Sequence, residues 1–414
     1  METRTRARSL AVVLLLLGFA LRIVPWTSFT GMAYDESWYR KYVHALDQGG
    51  LAAYPEICAA YLADGRDEQT MAKVPPLRAL FITAGYVWKR AAFGDAPPAD
   101  LASEGGAARD PALISLHRVA TFFSCLGLLA AWAFSRRMLG EIESLAVLAL
   151  SACSPLLLHM SQHALIDGVY GTCALVALWT LWEGMRERAH PAWLGAFAVS
   201  FALLVLAKEN ALFPAAAFVV LMLAGPRLGF GRADRRVWLA ALVGGLFATT
   251  LLATAAGGWG VLAEVYLLFI RKSQTLVYMQ EHGDGPWSRY LIDLVIFTPA
   301  TLCFAIGGGF RAIREDRRAL GLLVFLAVSY VAMCQVRYGM SLRFTTIWDF
   351  PLRSLAALQA VALVARFRHS RALLAVLIAG LCAIDLAQYR HFFVTWRLYE
   401  LPTEDLLRAE KMVK

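Results

Sequence analysis

Long apolar runs, separated by short basic or longer polar segments, dominate the chain. Stretches at 10–29, 112–134, 142–158, 164–183, 192–207, 209–224, 237–257, 290–310, 319–335, 346–365 and 372–388 reach or approach the ~20 residues that an α-helix needs to cross a bilayer. A further run, 76–93, follows Pro75 and carries Arg78, Lys89 and Arg90. The pattern predicts an all-α polytopic membrane protein of about eleven transmembrane helices, with 76–93 as a re-entrant or surface-lying helix. No internal repeat and no convincing pair of broken helices is visible in it.

Loop charge sets the orientation, because cytoplasmic loops collect Arg and Lys. With the N-terminus inside and 76–93 not counted, five basic clusters all fall inside: Arg136-Arg137, Arg186 with Arg188, Arg227 through Arg236, Arg311 through Arg318, and Arg366 with Arg368 and Arg371. Counting 76–93 as a span would put every one outside. The polar segments 30–111, 258–289 and 336–345 then share the outer face, which in a bacterium is the periplasm. The organisation expected is a transmembrane domain, 1–388, and a short periplasmic C-terminal tail, 389–414. Within that domain, 30–111 is the first periplasmic loop, with juxtamembrane helices, and 258–289 is a second periplasmic segment.

Composition adds two exclusions. The chain is 59% hydrophobic and 17% charged, against roughly 25% charged in soluble domains. Its net charge of +9 comes from loop arginines that set topology, so no nucleic-acid partner is implied. The seven cysteines sit mostly in or beside apolar runs and form no disulfide or metal-ligand spacing. Run 10–29 follows Arg4, Arg6 and Arg8 but lacks a small-x-small cleavage site, so it reads as a retained anchor.

The residues with chemistry lie on the outer side. Tyr34, Asp35 and Glu36 open an amphipathic helix just past the first span, with Trp38, Tyr42, Ala45 and Leu46 at helical spacing. A carboxylate there suits general-base work; the plainer alternative is that Asp35 caps the helix and Glu36 favours its dipole. Lys73 and Arg78 flank Pro75-Pro76 at headgroup depth, where they either seat a phosphate or snorkel to lipid. Ionisable groups at the spans include Arg22, His117, Arg118, His159, His163, Asp167, Lys208, Glu209, Arg337 and Arg343, and such groups face cavities or one another. Asp167 needs a partner and His163 shares its helix face, while Lys208-Glu209 reads as a solvated turn. His282, Trp287, Arg289 and Tyr290 suit an interface anchor or a sugar platform. Arg343, opening the tenth span, is placed to neutralise a leaving phosphate.

Taken in order, Asp35-Glu36, Pro75-Pro76-Leu77, Arg118, Ser154-Pro155, Ser161, Asp167, Gly285-Pro286-Trp287 with Tyr290, and Leu342-Arg343-Phe344 with Pro351 resemble the polyprenyl-phosphate-dependent glycosyltransferases of the GT-C fold. The relatives meant are the protein O-mannosyltransferases and the lipid A aminoarabinose transferases. Val74 departs from the His or Lys those relatives place before the double proline, so Lys73 takes that role here. The resemblance implies an inverting glycosyltransferase with a polyprenyl-phosphate-linked sugar donor and a lipid, glycan or protein hydroxyl as acceptor. It implies Asp35 and Glu36 as catalytic residues, and Lys73, Arg78 and Arg343 on the donor phosphate. Tyr34, Arg118, His163, Asp167, His282, Trp287 and Tyr290 take supporting roles. A divalent metal ion is compatible with it, held by Glu36, although no ligand spacing in the sequence requires one. The implied location is the bacterial inner membrane. A lipid or small-molecule transporter is the alternative from another class.

Overall fold

The structure is a computed structural model that describes residues 2–24, 32–65, 74–101, 106–315, 317–336 and 340–412. Lys73 and Arg337 lie outside the described residues. In chain order the α-helices are α1 (Glu2–Ile23), α2 (Tyr34–Gly49), α3 (Tyr54–Gly65), α4 (Ala79–Phe93), α5 (Gly106–Arg109), α6 (Pro111–Met138), α7 (Glu141–Ala152), α8 (Pro155–Ser161), α9 (Ile166–Met185) and α10 (Ala192–Ala207). They continue as α11 (Leu212–Leu228), α12 (Arg235–Ala256), α13 (Trp259–Thr275), α14 (Val277–His282), α15 (Arg289–Phe297), α16 (Pro299–Arg314), α17 (Leu320–Cys334), α18 (Asp349–Val364), α19 (Ser370–Tyr389) and α20 (Thr403–Ala409). No strand occurs among the described residues, and the seven cysteines are unpaired.

A helix or helix pair occupies each apolar run. Five are long and apolar enough to cross a membrane, or seven if each of two bent pairs counts as one span. Their outer faces confirm the solvent they are built for. On α12, Leu239, Leu242, Leu246 and Phe247 are each more than half exposed, an apolar surface that water would not tolerate and hydrocarbon does. Ends are set locally: Asp110 accepts from the Ala112 and Leu113 N–H groups at 3.0 and 3.1 Å, with Pro111 next, and so starts α6.

Two apolar runs are not straight spans, against the sequence reading. The α7–α8 pair bends by 54° and the α15–α16 pair by 119°. Both breaks fall where a proline, Pro155 or Pro299, removes a backbone donor. Broken helices survive in a bilayer only where other polar groups take up the freed ones. At the α7–α8 break the Ser154 hydroxyl accepts the Leu157 N–H at 3.3 Å. Beside the two breaks Ser154 also donates to Asp349 at 2.6 Å and Thr298 to Asp385 at 2.9 Å, while Arg353 bridges the two carboxylates at 2.9 and 2.7 Å. Arg22 is likewise fully engaged, donating to the Ser151 and Ala152 carbonyls at the end of α7 and to Ser124. Close backbone approach builds the α16–α18 pair: a Cβ on Gly308 would lie 2.0 Å from the Leu355 carbonyl oxygen.

Helix direction gathers the chemistry at one end. The starts of α2, α6, α9, α11 and α18 meet there, whereas Arg137 and Arg186 pair with Glu183 at the far ends of α6 and α9. After α19 the chain makes a π-helical turn, Arg390–Thr395. It then folds back over the site end, with Leu401, Leu406 and Ala409 buried.

Candidate active site

Asp35 and Glu36 are neighbours on α2 with different partners. Glu36 Oε2 accepts the Ala33 N–H at 3.0 Å and Oε1 accepts the Ala164 N–H at 2.7 Å. Glu36, rather than Asp35, therefore closes the helix start. His163 Nδ1 and His117 Nε2 approach the same Oε1 at 3.5 and 3.6 Å. Burial alone would raise the Glu36 pKa, but the two imidazoles hold it well below the usual carboxylate range. The ligand atoms of Glu36, His117 and His163 all lie within 4.8 Å of one another. One oxygen and two imidazole nitrogens, with the carboxylate fixed by backbone N–H groups, form a donor set that fits a zinc-like ion with an open position.

Asp35 faces Arg343, Oδ2 to Nη2, at 3.3 Å, and Glu400 from the C-terminal segment meets the same Nη2 at 3.1 Å. Nε and Nη1 of Arg343 are buried and have no hydrogen-bond partner among the described residues. Orphaned buried guanidinium donors are costly, and a planar cation of this kind suits an oxyanion such as phosphate.

Behind this pair stand two buried ion pairs. Lys208 Nζ donates to Asp167, and its ammonium lies 3.8 Å from the Phe344 ring centroid. Arg78 binds Glu209 through two bonds, 2.8 and 3.2 Å, and donates to the Tyr39 hydroxyl. The sequence expectations change accordingly. Asp167 takes Lys208 as partner and not His163, because the α10–α11 junction turns inward instead of lying in solvent. Lys208 and Glu209 are only 1% and 5% exposed. Arg78 spends its fork on Glu209. Among the described residues, Asp167, Glu209 and the Asp35 and Glu400 pair thus face three fixed cations, Lys208, Arg78 and Arg343, whereas Glu36 faces imidazoles and backbone N–H groups.

The remaining sequence candidates stand apart. Tyr34 stacks edge-on with Trp38, Arg118 is exposed over the Phe93 ring, and Trp287 is exposed with its carbonyl accepting from Tyr330. His282 faces Glu404 at 3.8 Å, and Tyr290 is buried against Trp348. His117, beside the chosen Arg118, joins the centre instead; its place among span-end ionisable groups was its only signal. Glu400 carried no sequence signal at all.

No protein-family profile matches the chain, and no curated protein matches it. Among solved structures it resembles the oligosaccharyltransferase of Archaeoglobus fulgidus in the apo form, with a TM-score of 0.59 at 12% identity over 96% of this chain and 56% of that one. It also resembles ArnT from Cupriavidus metallidurans, with a TM-score of 0.55 at 13% identity over 94% of this chain and 76% of that one. With ArnT bound to undecaprenyl phosphate the TM-score is 0.53 at 12% identity, over 99% of this chain and 75% of that one. The chain thus spans about half the length of the oligosaccharyltransferase and three quarters of ArnT. Both neighbours are GT-C glycosyltransferases, and the fold of this multi-pass membrane protein is theirs.

Proposed function

We propose that this protein is an inverting glycosyltransferase that moves a monosaccharide from a polyprenyl-phosphate donor to a hydroxyl of a lipid, glycan or protein acceptor. The observation that carries the proposal is Arg343. A buried guanidinium with two donors that have no partner among the described residues stands beside a partly exposed carboxylate, at the polar end of a GT-C fold. ArnT has been captured with undecaprenyl phosphate and the archaeal enzyme with dolichol-phosphate, which supports a lipid phosphate as the ligand of that guanidinium.

In the proposed reaction the acceptor oxygen attacks the anomeric carbon from the face opposite the phosphate. The new C–O bond forms as the bond to the phosphate oxygen breaks. Asp35 takes the hydroxyl proton, and the electron pair leaves on the phosphate, whose charge Arg343 stabilises. The sugar enters between Asp35 and Arg343, so donor binding lengthens their 3.3 Å contact. Glu36, His117 and His163 would hold a divalent ion, which supplies positive charge for orienting the acceptor or phosphate; the archaeal enzyme is known with zinc and sulfate. Lys208–Asp167 and Arg78–Glu209 fix the floor of the site. By the distribution of basic loops, eleven crossings put the N-terminus in the cytoplasm and this site on the periplasmic side of a bacterial inner membrane.

The broken helices would suit a transporter. However, the cavities beside the breaks measure only about 20 Å³ each, space for a single water. The test is release of free polyprenyl phosphate by purified protein given a panel of radiolabelled polyprenyl-phosphate sugars and membrane extract. Turnover that falls at least a hundredfold in Asp35→Asn is expected. Absence of turnover with every donor, together with lipid movement in proteoliposomes, would replace the transferase with a transporter.

A further inference from the structure

The C-terminal segment brings a carboxylate, Glu400, to Arg343. It is anchored on both sides of the residues that matter. Upstream, the Leu398 N–H donates to the Phe392 carbonyl at 3.0 Å. Downstream, Leu401 and Leu406 are buried, α20 lies on α15, and the Thr403 hydroxyl accepts from Arg289 Nε at 3.0 Å. His391 Nε2 and the Ala409 carbonyl, 3.3 Å apart, tie the end of α20 to the π-helical turn.

Between these anchors Tyr399 and Glu400 reach into the centre. The Tyr399 carbonyl accepts from His159 Nε2 at 3.0 Å, and its ring meets His163 edge-on at 4.9 Å between centroids. Glu400 lies on Arg343 Nη2 at 3.1 Å, closer than Asp35 at 3.3 Å. One nitrogen thus lies against two carboxylates while Nε and Nη1 have no hydrogen-bond partner among the described residues. Of the two acids, Glu400 is the more exposed, 33% against 17%.

That arrangement is uneven. Two like charges crowd a single cationic nitrogen, and a third anion, the donor phosphate, must approach the same guanidinium. With Tyr399 and Leu401 held on either side of it, only the Glu400 side chain needs to swing, and of the two carboxylates it is the one nearer solvent.

We propose that Glu400 is a place-holder on Arg343: it keeps the guanidinium seated in the resting site, gives way to the phosphate of the lipid carrier, and returns to help expel that phosphate after transfer. Glu400 is therefore a positioning residue that acts through Arg343, not a group that touches the reacting bond. The inference rests on the donor-phosphate reading of Arg343. The chemistry it recognises is an isoprenoid phosphate, as sugar-bearing diester or as free monoester.

The experiment measures equilibrium binding of farnesyl phosphate to the full chain in nanodiscs, for wild type, Glu400→Gln and Arg343→Met, with thermal melts to confirm that each variant is folded. Glu400→Gln keeps the shape and removes the charge. It is expected to bind farnesyl phosphate about tenfold more tightly than wild type, the scale of one like charge at a partly exposed site. In turnover its donor KM falls and its kcat falls with it, as product leaves more slowly. A purely structural role would move both binding and KM the other way. If Arg343→Met loses binding while Glu400→Gln binds no more tightly than wild type, the place-holder role is wrong and the donor-phosphate reading stands. If farnesyl phosphate binds wild type and Arg343→Met alike, or neither, the donor-phosphate reading fails and takes this inference with it.

Discussion

Replacing Arg343 by lysine tests the centre most directly. The substitution keeps a positive charge near Asp35 and Glu400 but removes the planar fork whose buried Nε and Nη1 have no partner among the described residues. If each of those donors makes a charge-assisted bond to phosphate, it contributes ~1.5–3 kcal/mol. A lysine ammonium that stays with the carboxylates recovers at most one of the two. The expected loss in kcat/KM is then about tenfold to a few hundredfold. Arg343→Met loses both donors and leaves two acids facing each other, so its loss is about two to four powers of ten. The assay is the initial rate of polyprenyl phosphate release against donor concentration, with tryptophan fluorescence melts as the folding control. A folded Arg343→Lys protein with kcat/KM within about threefold of wild type would falsify the argument, because the unpaired donors would then have no ligand to lose.

Lys208→Met leaves Asp167 charged, buried and without its ion-pair partner, and should cost about 3–5 kcal/mol in stability; a detergent melt unchanged by the substitution would show that the pair is not what holds the α10–α11 junction to the start of α9. Gly308→Ala drives a methyl into the Leu355 carbonyl and should cost about 1–3 kcal/mol, whereas Gly380→Ala, with nothing within 4 Å, serves as a control expected to be silent. Purified wild type should retain zinc through dialysis and His117→Ala should not, measured as metal per chain; equal content in the two would remove His117 from the ligand set. Asp110 gives a pH prediction. Burial pushes its pKa up, but bonds from His44, the Leu113 N–H and Arg40 outweigh that and hold it well below the ordinary value. Its stabilisation is complete above the unfolded pKa of about 3.9 and is lost as pH falls from there through the folded value. The wild-type melting temperature should therefore drop more steeply below about pH 4 than that of Asp110→Asn, and parallel slopes would show that Asp110 carries no such linkage.

Much of the membrane architecture was legible in the residues because an apolar run needs no partner to become a helix in lipid: the solvent itself is the partner, and among the described residues each run read from the sequence is occupied by a helix or a broken pair of helices. Asp35 and Arg343 were also legible, one just after a span and one just before another, and the fold brings them within 3.3 Å. The helix that the spacing of Trp38, Tyr42, Ala45 and Leu46 predicts is present as α2; against the core it buries Tyr42 and Leu46 together with Tyr39 and Val43, while Trp38 and Ala45 are half-buried.

What the sequence alone determined was the alternation of apolar and basic segments, the helices that follow from it, and the end of the molecule where acids and cations collect. Tertiary structure alone decided which acid meets which cation. Arg78 finds Glu209, 131 positions away, and Asp167 finds Lys208, 41 away. Arg353 joins Asp349 to Asp385 across two helices, and Glu400 reaches Arg343 only because the last segment folds back. The physical reason is that a buried charge is tolerated when some partner neutralises it. Residue type announces that a partner must exist, while its identity is fixed by helix packing, which a one-dimensional pattern does not contain.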